Sequence, residues 1–430
     1  MIPGVSDARR TDEGCNVIVI VTSQFPFGTG ESFIVPELEH WQESDDVVLL
    51  PEKRATGGAR PVPDAVRVDE TLADRWASRR WLVWSAARAL TSPALARELW
   101  RLARQRRLNP LRARVALRTL AQVYLIARTL SDIARRDRVR IDVVYGYWLS
   151  SGVMAGALLA RRSRVGAALA RAHGTDLWEP SRVGEYTPLI RQFAPWIRCV
   201  HAISDAGRQH LARYGFTNAQ RRCSRLGVSI PPATTPPTGP GEFHVVTLSS
   251  MTPFKRLDRA AAALARLHAL RPELTLRWTH VGDGPLREEM ERHAQQLRAA
   301  DVRVDLLGAL PHEEVLRFLE CTPIDVLLNT SDSEGIPVAL MEAMAHGIPA
   351  VAPDVGAIRE LVPDATLLPA HATGEAIGDF LAAHAERCKC AGWRSQARQR
   401  IEQEFDASVN HARFVAHVRG VVADVRGGKQ

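Results

Sequence analysis

The chain has 430 residues, of which 46% are hydrophobic and 24% charged, and a formal net charge of +8. This composition is typical of a globular protein with a sizeable core and excludes intrinsic disorder, and the length predicts two or three domains. No apolar run reaches the roughly 20 residues of a membrane-spanning helix, and residues 1–14 lack the apolar core of a signal peptide. We therefore expect a cytoplasmic protein.

The N-terminal half alternates predicted strands with predicted helices. A β-branched run at residues 16–22 predicts a buried parallel strand. Further strands are predicted at residues 47–50, 141–145, 167–172 and 199–203, with a helix of small residues over 151–160. Such alternation predicts a parallel sheet covered by helices.

One stretch of this half is strongly basic. From Arg75 to Arg118 a single acid, Glu98, is present among arginines at positions 75, 79, 80, 88, 97, 101, 104, 106, 107, 112, 114 and 118. Trp76, Trp81, Trp84 and Trp100 are interleaved with them. Arginine with tryptophan on helices suits an anionic membrane surface, and the same composition could bind nucleic acid or form a solvated helical face. Among partners we predict the membrane surface and no nucleic acid.

A proline-rich stretch at residues 230–241 interrupts the pattern and predicts a semi-rigid linker between two domains. After it, strands are predicted at residues 243–248, 275–281, 304–307, 326–329 and 349–352, with helices at 257–270 and 286–297. The predicted fold is therefore α/β with two Rossmann-like halves, one domain over 1–235 and a second over 242–404. Ligands of such sheets bind beyond the carboxyl ends of the strands, and two facing sheets make a cleft.

The six cysteines, at positions 15, 199, 223, 321, 388 and 390, are scattered. Only Cys388 and Cys390 lie close together, and one intervening residue matches neither a zinc knuckle nor a redox pair. We predict no metal site and no disulfide framework.

Residues 329–349 carry the strongest signal for chemistry: a strand, a polar loop and a helix that is predicted to start near Ile336 or Pro337. A helix N-terminus offers free N–H groups and a positive dipole end to a diphosphate. Glu334 precedes this helix, and Glu342 follows about two turns later, where a carboxylate can accept hydrogen bonds from ribose or sugar hydroxyls. The spacing alone favours a simpler interpretation, in which Glu334 is a capping acid and Glu342 a surface glutamate.

The segment from Ser331 to Pro349 resembles the donor-site signature of glycosyltransferase family 4, a Glu-x7-Glu motif, and the pattern continues through residues 354–360. The resemblance implies a GT-B fold, in which an acceptor-side domain over 1–235 and a donor-binding domain over 242–404 face each other across a cleft. It also implies a last helix near residues 405–425 that packs back on the first domain. It also implies that Glu342 holds the nucleotide ribose. Donor sugar and phosphate contacts are implied for Glu334 and for the backbone at Gly335, Ile336, Pro337 and Val338.

Residues 249–258 are similar to the family loop that supplies a diphosphate-binding lysine, here Lys255. Many family members have an arginine five residues before that lysine, where this chain has Ser250. Arg256 follows the lysine immediately, and the sequence leaves open whether it supplies the missing charge. By composition alone, a Lys-Arg pair after a strand would be a solvated loop.

Four further segments resemble family elements. Residues 282–286 are similar to its glycine loop and give Gly282 and Gly284 as donor-binding residues, and residues 307–312 resemble a segment that borders the base. Residues 25–33, with donor-binding Gly28 and Gly30, resemble the loop after the first strand. In residues 170–176, the resemblance places His173 beside the reacting sugar, with Asp176 orienting it or binding acceptor on the acceptor side.

The resemblance implies a retaining glycosyltransferase that needs no metal and no cofactor, with His173, Lys255 and Glu334 as catalytic residues. Its donor would be a UDP- or GDP-sugar, and its acceptor a glycan or lipid-linked glycan of bacterial cell-surface polysaccharide synthesis. With its basic, tryptophan-bearing stretch, we expect the enzyme to be a peripheral protein at the inner membrane face. Two alternatives stay open: a nucleotide-sugar epimerase on the same fold, and a non-catalytic GT-B protein.

Overall fold

A computed structural model describes residues 17–28, 30–55, 58–179 and 182–428. The chain divides into two compact units. The first unit contains Met1–Ile203, Gly207–Ser224 and His411–Gln430, and the second contains Ser204–Ala206 and Arg225–Asn410. Cys15 lies outside the described residues.

Within the described residues, the first unit holds a seven-stranded parallel sheet in the order β3-β2-β1-β4-β5-β6-β7. Its strands are β1 (Ile18–Thr22), β2 (Val47–Pro51), β3 (Val66–Val68), β4 (Val143–Gly146), β5 (Ala167–Ala172), β6 (Cys199–Ala202) and β7 (Arg221–Cys223). The central strands are buried on both faces, as their continuous apolar runs require. The short edge strands β3 and β7 were not predicted.

Helices cover both faces of this sheet. They are α1 (Val35–Leu38), α2 (Thr71–Ala77), α3 (Arg79–Leu90), α4 (Pro93–Arg104), α5 (Pro110–Arg136), α6 (Ser151–Ala160), α7 (Ile190–Phe193) and α8 (Asp205–His210). The small residues of α6 allow it to lie directly on the sheet, because a Cβ at Gly152 or Gly156 would come within 3 Å of Val21 or Val144.

The second unit holds a six-stranded parallel sheet in the order β10-β9-β8-β11-β12-β13, counted over the part of the chain that is described. Its strands are β8 (Glu242–Leu248), β9 (Thr275–Val281), β10 (Arg303–Gly308), β11 (Val326–Leu328), β12 (Ala350–Pro353) and β13 (Leu367–Leu368). Its helices are α9 (Leu257–Leu270), α10 (Arg287–Ala299), α11 (His312–Cys321), α12 (Val338–Ala345), α13 (Gly374–Lys389) and α14 (Ala391–Glu404). The two parallel sheets with their helices give the predicted α/β class with two Rossmann-like units.

The division between the units differs from the predicted linker. It falls between Ser224 and Arg225, and the proline-rich stretch belongs to the second unit. Thr235 is buried and its N–H donates to the carbonyl oxygen of His346 at 2.9 Å, while the Thr238 hydroxyl donates to the Asp325 carboxylate at 2.7 Å. The threonines between the prolines therefore supply the donors that proline lacks, and the stretch packs instead of spanning solvent.

The last helix, α15 (Ala407–Arg426), joins the first unit from His411 onward. Phe414, Val418 and Val422 pack in a core cluster with β1, β4 and β5, and Arg419 pairs with the buried Asp45 at 2.6 Å. In the described part of the chain, no helix is both long enough and apolar enough to cross a bilayer.

Candidate functional site

The second sheet reverses its strand order between β8 and β11. In open parallel sheets, ligands bind at such a switch point, beyond the carboxyl ends of the strands. The loop after β8, residues 249–256, and the loop after β11, residues 329–337, both leave the sheet there. They are joined by hydrogen bonds from the Thr330 hydroxyl to the Lys255 carbonyl oxygen (2.9 Å) and from the Asp332 N–H to the Phe254 carbonyl oxygen (2.8 Å).

Lys255 and Glu334, predicted as catalytic residues, meet at this point. The Lys255 ammonium donates to Oε1 of Glu334 at 2.5 Å, and the two side chains are only 17% and 10% exposed. The same oxygen accepts from the Ser331 hydroxyl at 2.7 Å and from the Asn329 amide at 3.2 Å. The two loops thus fix one cation against one acid at the switch point.

Arg256 lies beside this pair but is engaged elsewhere. Its guanidinium forms a two-pronged ion pair with Asp258 and a further pair with Asp332 at 3.2 Å. These carboxylates raise the pKa of Arg256 above its ordinary value. Ser250 is exposed, with its hydroxyl 3.4 Å from that of Thr252. The arrangement uses the charge of Arg256 to hold the loop after β8.

Helix α12 begins at Val338, with Pro337 as N-cap, slightly later than predicted. The N-cap makes no side-chain hydrogen bond. Gly335 and the buried Ile336 lead into it. The first turn of α12 therefore presents backbone N–H groups, with their positive end of the helix dipole, beside the loop that carries Glu334.

Glu342 lies on the second turn of α12 and is 7% exposed. Its Oε1 accepts from Nε2 of His312 at 2.6 Å, and this bond raises the pKa of the His312 imidazole. His312 is the first residue of α11, and its side chain is 58% exposed. The sequence assigned no contact to His312, because thirty residues separate it from Glu342 and only the placing of α11 against α12 brings the two together.

The glycines of this site permit close backbone contacts. Gly282 has φ +144°, and a Cβ there would lie 1.8 Å from the Ser249 carbonyl oxygen. A Cβ at Gly284 would lie 2.7 Å from the carbonyl oxygen of Met251. Gly356, which the sequence did not single out as a site residue, has φ +59° and touches the Glu334 backbone in the same way. Glycine at these positions lets the loop after β9 pack on the loop after β8, and the loop after β12 pack on Glu334.

The first sheet also reverses its order, between β1 and β4, and a glutamate lies there too. Glu31 accepts from the backbone N–H groups of Ser23, Gln24 and Phe25 at 2.7–2.9 Å and from the Trp148 indole at 2.5 Å. Gly28, in the same loop, has φ +67°. A Cβ at Gly30 would meet nothing within 4 Å, so packing does not require glycine there.

His173 follows β5 and is buried among the rings of Phe33, Tyr147 and Trp148, at centroid distances of 4.7–5.0 Å. Burial, with the charge of Arg171, lowers the pKa of His173 to about 3. Nε2 lies 2.9 Å from the Tyr147 carbonyl oxygen, which can only accept, so Nε2 carries the proton of a neutral ring. Among the described residues, Nδ1 has no hydrogen-bond partner.

Asp176 holds backbone instead of the His173 ring. One carboxylate oxygen accepts from the His173 N–H at 2.8 Å and the other from the Leu149 N–H at 2.9 Å. Burial raises the pKa of the Asp176 carboxyl. The carboxylate therefore fixes the turn after β5 against the turn after β4.

The basic stretch forms helices α2 to α5 of the first unit. Glu98 is fully buried and pairs with Arg101 at 2.6 Å, and Arg75 pairs with Asp132 at 2.8 Å. Other arginines are exposed, among them those at positions 79, 80, 97, 104 and 106. Large apolar side chains are exposed beside them on α3 and α4: Leu82, Val83, Trp84, Leu90 and Trp100. We call the exposed residues of α3 and α4 the basic-aromatic face.

Residues 242–389 match the model of a family described as glycosyl transferases group 1. WcaL of Escherichia coli (strain K12), a glycosyltransferase named for colanic acid biosynthesis, is 29% identical over 283 residues, 63% of this chain and 68% of WcaL. AmsK of Erwinia amylovora, named as an amylovoran biosynthesis glycosyltransferase, is 38% identical over 89 residues, 20% of this chain and 22% of AmsK. The crystal structure of Anabaena HepE in complex with UDP has a TM-score of 0.63 at 16% identity, covering 94% of this chain and 99% of HepE.

Proposed function

We propose that this chain, a glycosyltransferase with the GT-B fold, transfers the sugar of a UDP-sugar with retention, in the manner of glycosyltransferase family 4. The observation that carries this proposal is the Lys255–Glu334 pair at the switch point of the second sheet, beside the N-terminus of α12. UDP is chosen over GDP because the solved HepE structure contains UDP.

In this proposal Lys255 stabilises the departing diphosphate. Its ammonium is a compact charge, and Glu334 holds it where the loops after β8 and β11 converge. The N-terminus of α12 adds a partial positive charge, so preorganised groups oppose the charge that develops as the bond to phosphate breaks. We propose that these groups perform this task without a metal or other cofactor, and that Glu334 and the backbone at residues 335–338 contact the donor.

Retention then follows because the acceptor attacks the anomeric carbon on the same face of the sugar from which the diphosphate leaves. The bond between the anomeric carbon and the phosphate oxygen breaks, the acceptor oxygen forms the new bond, and its proton passes to the departing phosphate oxygen. We propose that His173 contributes as a neutral imidazole, since its pKa of about 3 excludes the charged form at neutral pH and Nδ1 is a free acceptor within the described structure. We also propose that Gly28 and Gly30, which have no side chain, let the backbone of the loop after β1 approach the substrate closely.

Glu342 is proposed to bind the ribose. Its Oε1 holds His312, whose side chain is 58% exposed and can move when a nucleotide enters. A carboxylate accepts hydrogen bonds from two neighbouring hydroxyls, and ionised acceptors make the stronger bonds. Gly282 and Gly284 let the loop after β9 pack closely on the loop after β8.

The acceptor is proposed to be a glycan or lipid-linked glycan of bacterial polysaccharide synthesis, as the names of WcaL and AmsK indicate for those proteins. The basic-aromatic face supports an acceptor at an anionic membrane, because indoles and arginines suit the headgroup region. Beside it, a cavity of about 640 Å³ is lined by Trp84 and Arg88 of α3 and by the arginines at 128, 135, 162 and 164. We propose peripheral binding to anionic lipid through this face.

The donor site is tested by thermal shift with UDP, GDP and their sugars on wild type and on Glu342→Gln, with the exposed Glu375→Gln as a matched control. UDP should stabilise the wild type and the control and lose most of its effect on Glu342→Gln. Equal stabilisation of all three proteins would contradict the site.

Product analysis separates the alternatives. A transferase releases free UDP only with acceptor, an epimerase changes the sugar while it stays attached to UDP, and a non-catalytic protein binds UDP without turnover. A polyprenyl-linked glycan is the first acceptor to supply.

The membrane proposal is tested by sedimentation with liposomes. Arg79→Glu/Arg80→Glu should weaken binding to anionic liposomes, whereas Arg292→Glu/Arg317→Glu, with the same charge change at exposed positions of the second unit, should not. Binding of the wild type should fall as salt rises. Equal binding to neutral liposomes would overturn it.

A further inference from the structure

Cys199, His201 and His417 bring three metal-ligating atoms together inside the first unit. Cys199 and His201 are two residues apart on β6, so their side chains share one face of the sheet, and His417 lies on α15. Sγ of Cys199 is 3.6 Å from Nε2 of His201 and 3.8 Å from Nε2 of His417. All three ligand atoms lie within 4.8 Å of one another.

These distances match the edges of a tetrahedral site. With Zn–S of about 2.3 Å and Zn–N of about 2.0–2.1 Å, tetrahedral angles separate a sulfur ligand from a nitrogen ligand by about 3.5 Å. The two sulfur–nitrogen separations exceed that value by a few tenths of an ångström or less, which small side-chain rotations remove. One thiolate with two imidazoles is a ligand set that suits Zn²⁺.

The surroundings of His201 supply the second requirement of a metal site. Its Nδ1 lies 2.7 Å from the hydroxyl of Ser224. A donor–acceptor bond at one ring nitrogen fixes the ring and leaves the other nitrogen directed at a metal.

An ion has a path to these atoms. A cavity of about 490 Å³ reaches Cys199 and His417 and is also lined by Arg198, Gln220 and Asp424. Asp424 pairs with Arg198 at 3.1 Å and balances its charge beside the cavity. The cavity leaves room for water as a fourth ligand.

We propose that Cys199, His201 and His417 bind one Zn²⁺ ion, with the fourth position open to the cavity, and that the ion ties α15 to β6. The site stands apart from the proposed donor residues of the second unit and does not depend on the proposed reaction. Because His417 is 218 residues from Cys199 along the chain, the unfolded chain holds no such site, and the ion stabilises the folded first unit.

Metal-free, untagged full-length protein is titrated with Co²⁺ and, in competition with a chromophoric chelator, with Zn²⁺. We expect one ion per chain, a thiolate-to-cobalt charge-transfer band and a rise in Tm of several degrees with Zn²⁺. Cys199→Ser should abolish the band. His417→Gln, which changes a half-buried side chain, should weaken Zn²⁺ binding at least tenfold, and Ser224→Ala by roughly 10–100-fold.

Cys321→Ser and His371→Gln are the matched controls, since both side chains are exposed in the second unit. They should leave the band and the Zn²⁺ affinity unchanged, and a UDP thermal shift in every variant should show that the second unit is folded. If Zn²⁺ leaves Tm unchanged, if no charge-transfer band forms, or if His417→Gln binds Zn²⁺ as wild type does, the three side chains only share thiol–imidazole hydrogen bonds and the proposal is overturned.

Discussion

Each unit places a glutamate at the switch point of its sheet, and the two units use this glutamate differently. Glu31 in the first unit accepts three backbone N–H groups and an indole, so its carboxylate is consumed in holding the loop after β1. Glu334 in the second unit accepts from an ammonium, a hydroxyl and a side-chain amide. The Lys255 ammonium has three N–H donors and can bind an anionic ligand while it also bonds to Glu334. Each backbone N–H that bonds to Glu31 has one donor, which is already used. Chemistry is therefore expected of the second switch point and structure of the first.

The largest effect is expected at Lys255. Lys255→Ala removes the charge proposed to stabilise the leaving diphosphate, and removing one such donor typically lowers kcat by about 10²–10³-fold. Turnover is measured as release of UDP with acceptor. Lys389→Ala is the control, at a half-buried lysine of the same unit whose ammonium donates to the Gly239 carbonyl oxygen at 2.9 Å. Lys255→Ala turning over like Lys389→Ala would remove the contrast between the two switch points.

Glu31→Gln should act on stability instead. The amide presents a donor to backbone donors and removes the charge, so we expect a loss of about 2–4 kcal/mol in the opening free energy of the loop after β1. Hydrogen exchange at the amides of Ser23, Gln24 and Phe25 measures it.

The exposed Glu39→Gln, at a glutamate of the same unit, serves as the control for Glu31→Gln. Protection of the three amides as in wild type would show that the carboxylate is not what holds this loop.

A smaller effect is expected at the ribose position. Glu342→Ala should weaken UDP binding by roughly 10–150-fold, the range expected for hydrogen bonds of about 1.5–3 kcal/mol to a charged group. His312→Ala should change it less, because its exposed ring contacts only the Glu342 carboxylate among the bonds described. Calorimetric titration with UDP measures both. A greater loss of UDP affinity in His312→Ala than in Glu342→Ala would mean that the nucleotide binds His312 and not Glu342.

Much of the fold followed from local pattern. The buried runs of β5 and β9 and the helix α9 have the predicted bounds, because continuous apolar runs and helical periodicity are local properties. The edge strands β3, β7 and β13 have two or three residues, too few for any period to show. The proline-rich stretch was assigned to a linker because prolines dominate it, while the buried Thr235 decides its packing.

The site divides in the same way. Lys255, Glu334 and Glu342 lie in contiguous motifs and could be named from them. Their partners could not, because a bond between His312 and Glu342 depends on how two helices pack. The cluster of Cys199, His201 and His417 is the extreme case, since its members are scattered in sequence and the cysteine spacing alone predicted no metal.

The smallest effect, about 1.4 kcal/mol per pH unit, concerns the buried His173. Its pKa is about 3 in the folded protein against about 6.5 in the unfolded chain, so the unfolded chain binds the extra proton between these values. The stabilisation of the neutral ring is complete above pH 6.5 and is lost as the pH falls towards 3, by about 1.4 kcal/mol per pH unit. His173→Asn lacks this term.

The difference in unfolding free energy between wild type and His173→Asn should therefore shrink by that slope on acidification. Other shifted groups, such as His280 with a pKa of about 4 and Glu37 with a pKa of about 7, titrate in both proteins and cancel in the difference. Chemical denaturation at pH 7, 6 and 5 measures it. A difference that stays constant with pH would mean that His173 titrates in the folded protein as it does in the unfolded chain, and would contradict a ring that stays neutral below pH 6.5.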